Sequence, residues 1–189
     1  LTLTASLAAT SINVNAAAAS TLGAGNLDLN GAAAFPISVG ATLVNGKDLA
    51  PWQPGLIINS VVQNGGIAKS GAGVLQLGGQ STFAGGVTVS AGALLIGADS
   101  SPVLGTVIAG PLGTGTLTMA TGTRMGASGA YSVANNVVFG DDGAGAGTHV
   151  FTGVNNLTLN GVTTLPAIWN VEIVAPQMTL SIADASPSQ

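Results

Sequence analysis

Residues 65–97 read GGIAKSGAGVLQLGGQSTFAGGVTVSAGALLIG, and the spacing within them decides the fold. Val74-Leu75-Gln76-Leu77 and Val87-Thr88-Val89 alternate apolar with small or polar side chains, and each run stops at Gly or Ser. Alternation of period 2 in runs this short, bounded by turn formers, is the pattern of half-buried strands. The same pattern recurs farther out, at Leu117-Thr118-Met119, at Asn156-Leu157-Thr158-Leu159 and at Met178-Thr179-Leu180-Ser181-Ile182. No 11-residue window carries convincing helical spacing, because Gly or β-branched residues punctuate nearly all of them. The chain reads as all-β.

Units also recur. Leu22-Gly23-Ala24-Gly25-Asn26-Leu27-Asp28-Leu29 aligns with Leu112-Gly113-Thr114-Gly115-Thr116-Leu117-Thr118-Met119, and shorter echoes of Leu-x-Leu followed by Gly lie at 75–78 and 157–161. Recurrence of this kind points to a solenoid, in which each coil buries its inward side chains on its neighbours. Coils of about 20 to 25 residues would give roughly eight turns and a rod about 40 Å long at ~4.8 Å per strand. Leu75, Leu77, Val87, Val89 and Leu94 are expected to share its lumen.

The stretch 65–97 resembles the autotransporter-associated β-strand repeat of bacterial surface and secreted proteins. The matching elements are Lys69-Ser70-Gly71-Ala72-Gly73, Leu75-Gln76-Leu77, Thr82-Phe83-Ala84-Gly85-Gly86, Val87-Thr88-Val89 and Ala91-Gly92-Ala93-Leu94. Pro111 to Gly115, Val133 to Asn136 and Asn155 to Gly161 resemble material found between such repeats, so the likeness covers roughly residues 56–161, with a weaker echo at 12–31. The resemblance implies a right-handed parallel β-helix passenger, exported and displayed outside the cell. The whole of 1–189 is read as one solenoid domain. Two stretches depart from the pattern: 32–54, with Phe35-Pro36 and Pro51-Trp52-Gln53-Pro54, is expected to be a loop or insertion, and 162–189 a C-terminal cap or connecting strand.

Composition narrows the function. Three Lys+Arg against seven Asp+Glu give a net charge of −4 and no basic patch, which argues against nucleic acid. Charged residues are 5% of the chain, against about 25% in an ordinary soluble domain. Glycine supplies 29 residues, about twice the usual share. Apolar runs are broken by Gly, Asn, Thr or Pro well short of the ~20 residues of a spanning helix. One Tyr, two Trp and four Phe are too few for the two aromatic girdles of a transmembrane barrel. Membrane insertion is therefore not expected. The absence of cysteine removes disulfides, thiolate metal sites and cysteine nucleophiles, and it fits an exported chain.

Candidate chemistry is sparse. His149 follows Asp141-Asp142 through a Gly-Ala-Gly-Ala-Gly run, which is a poor platform for a catalytic triad, and no Gly-x-Ser-x-Gly elbow occurs. His149 is expected in a loop. Asp141-Asp142 could offer hard ligands to calcium, but a solvated turn is the simpler reading, and Lys69 is likewise expected to be a solvated turn charge. No catalytic, cofactor or metal residue is assigned. Trp52 and Trp169, each near proline in a departing stretch, are either exposed binding aromatics or plugs of the lumen. Leu1, Leu3, Ile12, Val14, Met178, Leu180 and Ile182 lie in alternating segments near the two ends, with only Glu172 and Asp184 nearby to guard an edge. They are candidates for self-association. The expected function is that of a non-enzymatic, extracellular, structural or adhesive solenoid whose main partner is itself. The alternative is a β-helix that binds or degrades polysaccharide, with surface glycans as partner. Three or more of Asp28, Asp48, Asp99, Asp141, Asp142 and Glu172 converging in one cleft would favour that alternative.

Overall fold

The computed structural model describes residues 11–187, apart from 16–17, 24, 45–46, 49–51 and 175–176. Leu1 and Leu3 lie outside the described residues. Twenty strands and no helix occur among those described.

The chain winds between two sheets, adding to each in turn. Strand β1 (Ile12–Val14) leads to β2 (Ser20–Leu22). Strand β3 (Asn26–Val39) leads through a small hairpin, β4 (Leu43–Val44) and β5 (Lys47–Asp48), to β6 (Pro54–Ile58). Strands β7 (Val61–Ser70) and β8 (Val74–Leu77) form the next coil, and β9 (Val87–Val89) and β10 (Ala93–Ile96) the one after. A second antiparallel hairpin, β11 (Ser101–Val103) and β12 (Thr106–Ala109), precedes β13 (Leu117–Met119) and β14 (Arg124–Ala127). Then β15 (Tyr131–Val133) and β16 (Val137–Phe139) lead to β17 (Ala146–Thr152), and β18 (Leu157–Leu165) to β19 (Ile168–Val174), before the last strand, β20 (Leu180–Pro187).

One sheet has nine strands, stacked β1-β3-β7-β9-β13-β16-β18 with β15 and β20 also on β18. The other has seven, ordered β2-β6-β8-β10-β14-β17-β19. Every pairing within these two sheets is parallel, so the protein is a parallel β-solenoid. From β1 to β20 the stack is about 34 Å tall at ~4.8 Å per level.

Register turns the sequence pattern into a core. Leu56, Leu75, Leu94, Met125 and Phe151 form one inward column, and Ile58, Leu77, Ile96 and Ala127 a second. Across the lumen stand Phe35, Ile67, Val87, Leu117 and Val137. All of these are buried in one continuous cluster, together with Val89. Each fully buried Leu, Ile or Val contributes about 1.5–3 kcal/mol against the entropy of ordering the chain, and a one-residue slip would turn a whole strand's apolar set outward. Side chains on the coil corners add polar links: Asn135 Nδ2 donates to the Gly113 and Gly115 carbonyls at 3.1 and 2.8 Å, and Asn155 Nδ2 to Ala127 O at 3.1 Å.

One departing stretch differs in part from expectation, and the other takes the strand alternative. Residues 32–39 are not loop but the second half of β3, paired with β7. Pro36 is tolerated there because β1 joins only at Ile37, so at Pro36 the strand has a neighbour on one side alone. The described part of 162–187 does not form an irregular cap. Val162–Leu165 pair with Asp184–Pro187, and β19 stacks on β17, because strand alternation persists there after the repeat motif has gone.

Candidate functional site

Lys69 is not a solvated turn charge; it is fully buried. Ile67-Ala68-Lys69 keeps the alternation of β7, so Lys69 points inward, in register between Ile37 and Val89. Its Nζ donates to the carbonyls of Ser70 (3.1 Å), Gly71 (2.6 Å) and Ala91 (2.8 Å). An ammonium has three protons, and each finds an acceptor. Gly92, at φ +75°, leaves the room: a Cβ there would stand 2.6 Å from Nζ. From outside the same corner, Arg124 Nη2 reaches Ala72 O at 3.4 Å. Burial, reinforced by the Arg124 charge, pushes the Lys69 ammonium down to about 8, which leaves it mostly charged at neutral pH. One cation thus fastens the corners of two successive coils.

His149 is not in a loop either. It lies on β17, buried, with its imidazole pointing into the lumen. Trp169 Nε1 donates to His149 Nδ1 at 3.2 Å, and His149 Nε2 lies 3.3 Å from Met119 O. Because Nδ1 must accept, the neutral tautomer carries its proton on Nε2 and donates to Met119. Burial lowers the imidazole pKa, only partly opposed by the Met119 bond. The His149 ring meets Phe139 edge-on at 4.8 Å, and Trp169 lies 5.3 Å from Phe139 and 6.4 Å from Phe151. Trp169 is therefore half-buried against the core rather than an exposed binding aromatic. Asp141 and Asp142 cap their own turn: Asp141 accepts from Gly143 N at 2.8 Å, and Asp142 from Ala144 N and Ala146 N at 2.9 and 3.2 Å. Those backbone donors hold the Asp142 carboxyl below the usual carboxylate range. The structure places both aspartates on the surface and His149 inside.

The other acidic residues are scattered. Asp28 accepts from Asn30 N, Gln63 Nε2 and Asn64 Nδ2 at 2.8, 3.3 and 2.8 Å. It borders an open groove of about 620 Å³ floored by Gly65 and Gly85. Asp99 accepts from Ser132 N at 2.8 Å, and Glu172 lies on β19. Among the described residues no three His, Cys, Asp or Glu side chains converge on one point. A second groove, of about 550 Å³, crosses the outer face of the seven-stranded sheet. Trp52, exposed, lines it together with Val154, Leu95 and Thr152.

Residues 67–96 match the family model of the passenger-associated-transport-repeat. The chain contains a passenger-associated-transport-repeat. No curated protein and no solved structure matches the chain significantly. The resemblance read from residues 65–97 is thus borne out, and the repeat marks a β-helix of the passenger type. It covers the end of β7 through β10, and Lys69, Ser70, Gly71, Ala91 and Gly92 all fall inside it. The Lys69 fastening therefore lies within the matched repeat.

The first and last described coils lie outside the repeat. Ile12 and Val14 stack on Ile37 and Val39, while Leu180 and Ile182 stack on Leu157 and Leu159. All four are half-buried, and Met178 is buried beside them. Ile173, above Phe151, is 47% exposed, and Val171 lies above His149. Strands β1 and β2 at one end, and β19 and β20 at the other, have no further neighbour among the described strands. Ile173 and Val171 escape a reading of the sequence that follows the repeat alone; their alternation with Asn170 and Glu172 is the signal that finds them.

Proposed function

We propose that this passenger-type β-helix is a non-catalytic structural rod, secreted or displayed at the cell surface, that stacks end to end with further copies of itself. The observation that carries this reading is the C-terminal coil. There Val171, Ile173, Leu180 and Ile182 continue the inward columns and remain partly open to solvent, on strands whose outer edge is unpaired among the described residues. An edge of this kind accepts a parallel strand by β-augmentation, and the half-open apolar columns supply the burial. At the N-terminal face Ile12, Val14 and Leu22 are half-buried and offer apolar contact in return. Head-to-tail contact does not close on itself, so it yields an open fibre. Few charges oppose it: Glu172 and Asp184 are the charged side chains on the two last strands, and no lysine guards either. The fibre would act as surface scaffold or adhesive material.

The test is electron microscopy and light scattering of the purified chain. Fibres with a ~4.8 Å axial repeat are expected. Ile173→Asp and Leu180→Asp should each shorten or abolish them while leaving the monomer's circular dichroism unchanged. Monomers alone at high micromolar concentration would reject end-to-end stacking and leave the solenoid intact.

A further inference from the structure

The β11–β12 hairpin stands away from the solenoid with apolar side chains and nothing packed on them. Val103, Leu104 and Ile108 are exposed by 52%, 101% and 52%. Its two-residue turn lies between the paired Val103 and Thr106, with φ +49° at Leu104 and +83° at Gly105. A turn with positive φ at both centres favours Asn or Asp at the first of them, and a bulky residue is an outlier there. Leu104 therefore strains the backbone and exposes a whole isobutyl group to water, and within one molecule it gains nothing in return. Strain of this kind points to a use outside the monomer.

The same surface holds a cavity of matching chemistry. The groove of about 550 Å³ is lined by Leu95 and Thr152, which close over Gly126 between them, since a Cβ there would strike Thr152 O and come within 3.1 Å of Leu95 Cδ2. Trp52, Val154 and Val174 line it too, and Arg124 is the groove's one charged side chain.

We propose that the hairpin of one copy docks into this groove on a second copy, with Leu104 seated against Leu95 between Trp52 and Val154. Apolar knob meets apolar groove, and the charges agree. The incoming hairpin follows an exposed Asp99, opposite in sign to Arg124. A bilayer is the poorer occupant for the tip, because the hairpin has no Lys or Arg and an acidic chain is repelled by anionic headgroups. Knob and groove lie on different parts of the same chain, so the contact is heterologous and joins rods side by side. It is smaller than a standard interface of about 1,600 Å², so each contact is weak and the strength of a lateral array comes from repetition. Val174, the last residue of β19, is its one residue on an end strand, whereas Leu104, Trp52, Leu95 and Val154 lie off the end strands, so the contact is tested separately from end-to-end stacking.

The natural absence of cysteine makes the test direct. Chains carrying Leu104→Cys and Val154→Cys are mixed and oxidised mildly with diamide. A disulfide-linked pair should form about tenfold faster than between Leu104→Cys and Thr88→Cys, whose position is exposed on the opposite sheet. In sedimentation velocity, Leu104→Asn should weaken lateral association about tenfold and raise the melting temperature, because it relieves the turn while removing the knob. Ile173→Asp should leave the Leu104–Val154 cross-link intact. Equal cross-linking to Thr88→Cys would overturn the proposal. So would unchanged association of Leu104→Asn, or Leu104-dependent flotation with phosphatidylcholine–phosphatidylglycerol vesicles without any cross-link between chains.

Discussion

Lys69 places a positive charge in a column whose other members, Ile37, Val89, Met119 and Phe139, are apolar. Its burial is tolerable only because all three ammonium protons are taken by carbonyls. Lys69→Met would fill the same space and strand three buried acceptors, so a loss of about 3 kcal/mol is expected, read from the urea midpoint at pH 7. The pH dependence has a definite sign. The folded pKa, about 8, lies below the ordinary value of 10.5. Between those values the unfolded chain holds a proton that the native state has released, so stability rises with pH across that window and is lost again as pH falls to about 8. The gain is at most about 3 kcal/mol. Urea midpoints should rise from pH 8 to pH 10 in the parent, and this rise should be missing in Lys69→Met. A flat profile in both proteins would mean that the corner stays wet and the ammonium is never desolvated.

At the scale of the strand, β8 and β9 are legible from the sequence because each is short, alternates apolar with polar residues and ends at a corner residue. The Lys69 position follows the same alternation, yet the general rarity of buried lysine argues for solvent. The carbonyl that completes its shell belongs to Ala91, 22 residues further on, and no local window contains it. His149 is hidden for the same reason, since its partner Trp169 lies 20 residues away. The β11–β12 hairpin escapes a reading by turn chemistry because Leu104-Gly105 stands where Asn-Gly or Asp-Gly would announce it. Where alternation alone decides, the consequence is sharp. Leu77 is buried in register between Ile58 and Ile96, so Leu77→Asp buries an unpaired carboxylate at a cost of several kcal/mol. Thr88→Asp, on an exposed outward position of β9, should stay within about 0.5 kcal/mol of the parent. Thermal melting of the two variants side by side measures the difference; equal melting would mean the inward and outward faces are wrongly assigned.

For the whole rod, salt separates the two proposed contacts because they have opposite electrostatic signs. Stacking ends brings like charges together: each copy has a net charge of −4, and Glu172 and Asp184 lie on the strands that would be covered. Screening shortens from about 30 Å at 0.01 M salt to about 3 Å at 1 M, so end-to-end association should strengthen as salt is added. It should strengthen again as pH is lowered toward the isoelectric point, about 4.3, where net repulsion vanishes. The side-to-side contact instead brings Asp99, just before the hairpin of one copy, toward Arg124 of the other, and salt should weaken this local attraction. The apolar part of each contact changes little over this range, so the sign of the salt response comes from the charges. Leu104→Asn removes the lateral contact and Ile173→Asp the axial one. Light scattering of Leu104→Asn should therefore rise between 0.02 and 0.5 M NaCl on the order of severalfold, while that of Ile173→Asp falls. If scattering of Leu104→Asn fell with salt, an ion pair rather than stacked apolar columns would be holding the rod ends together.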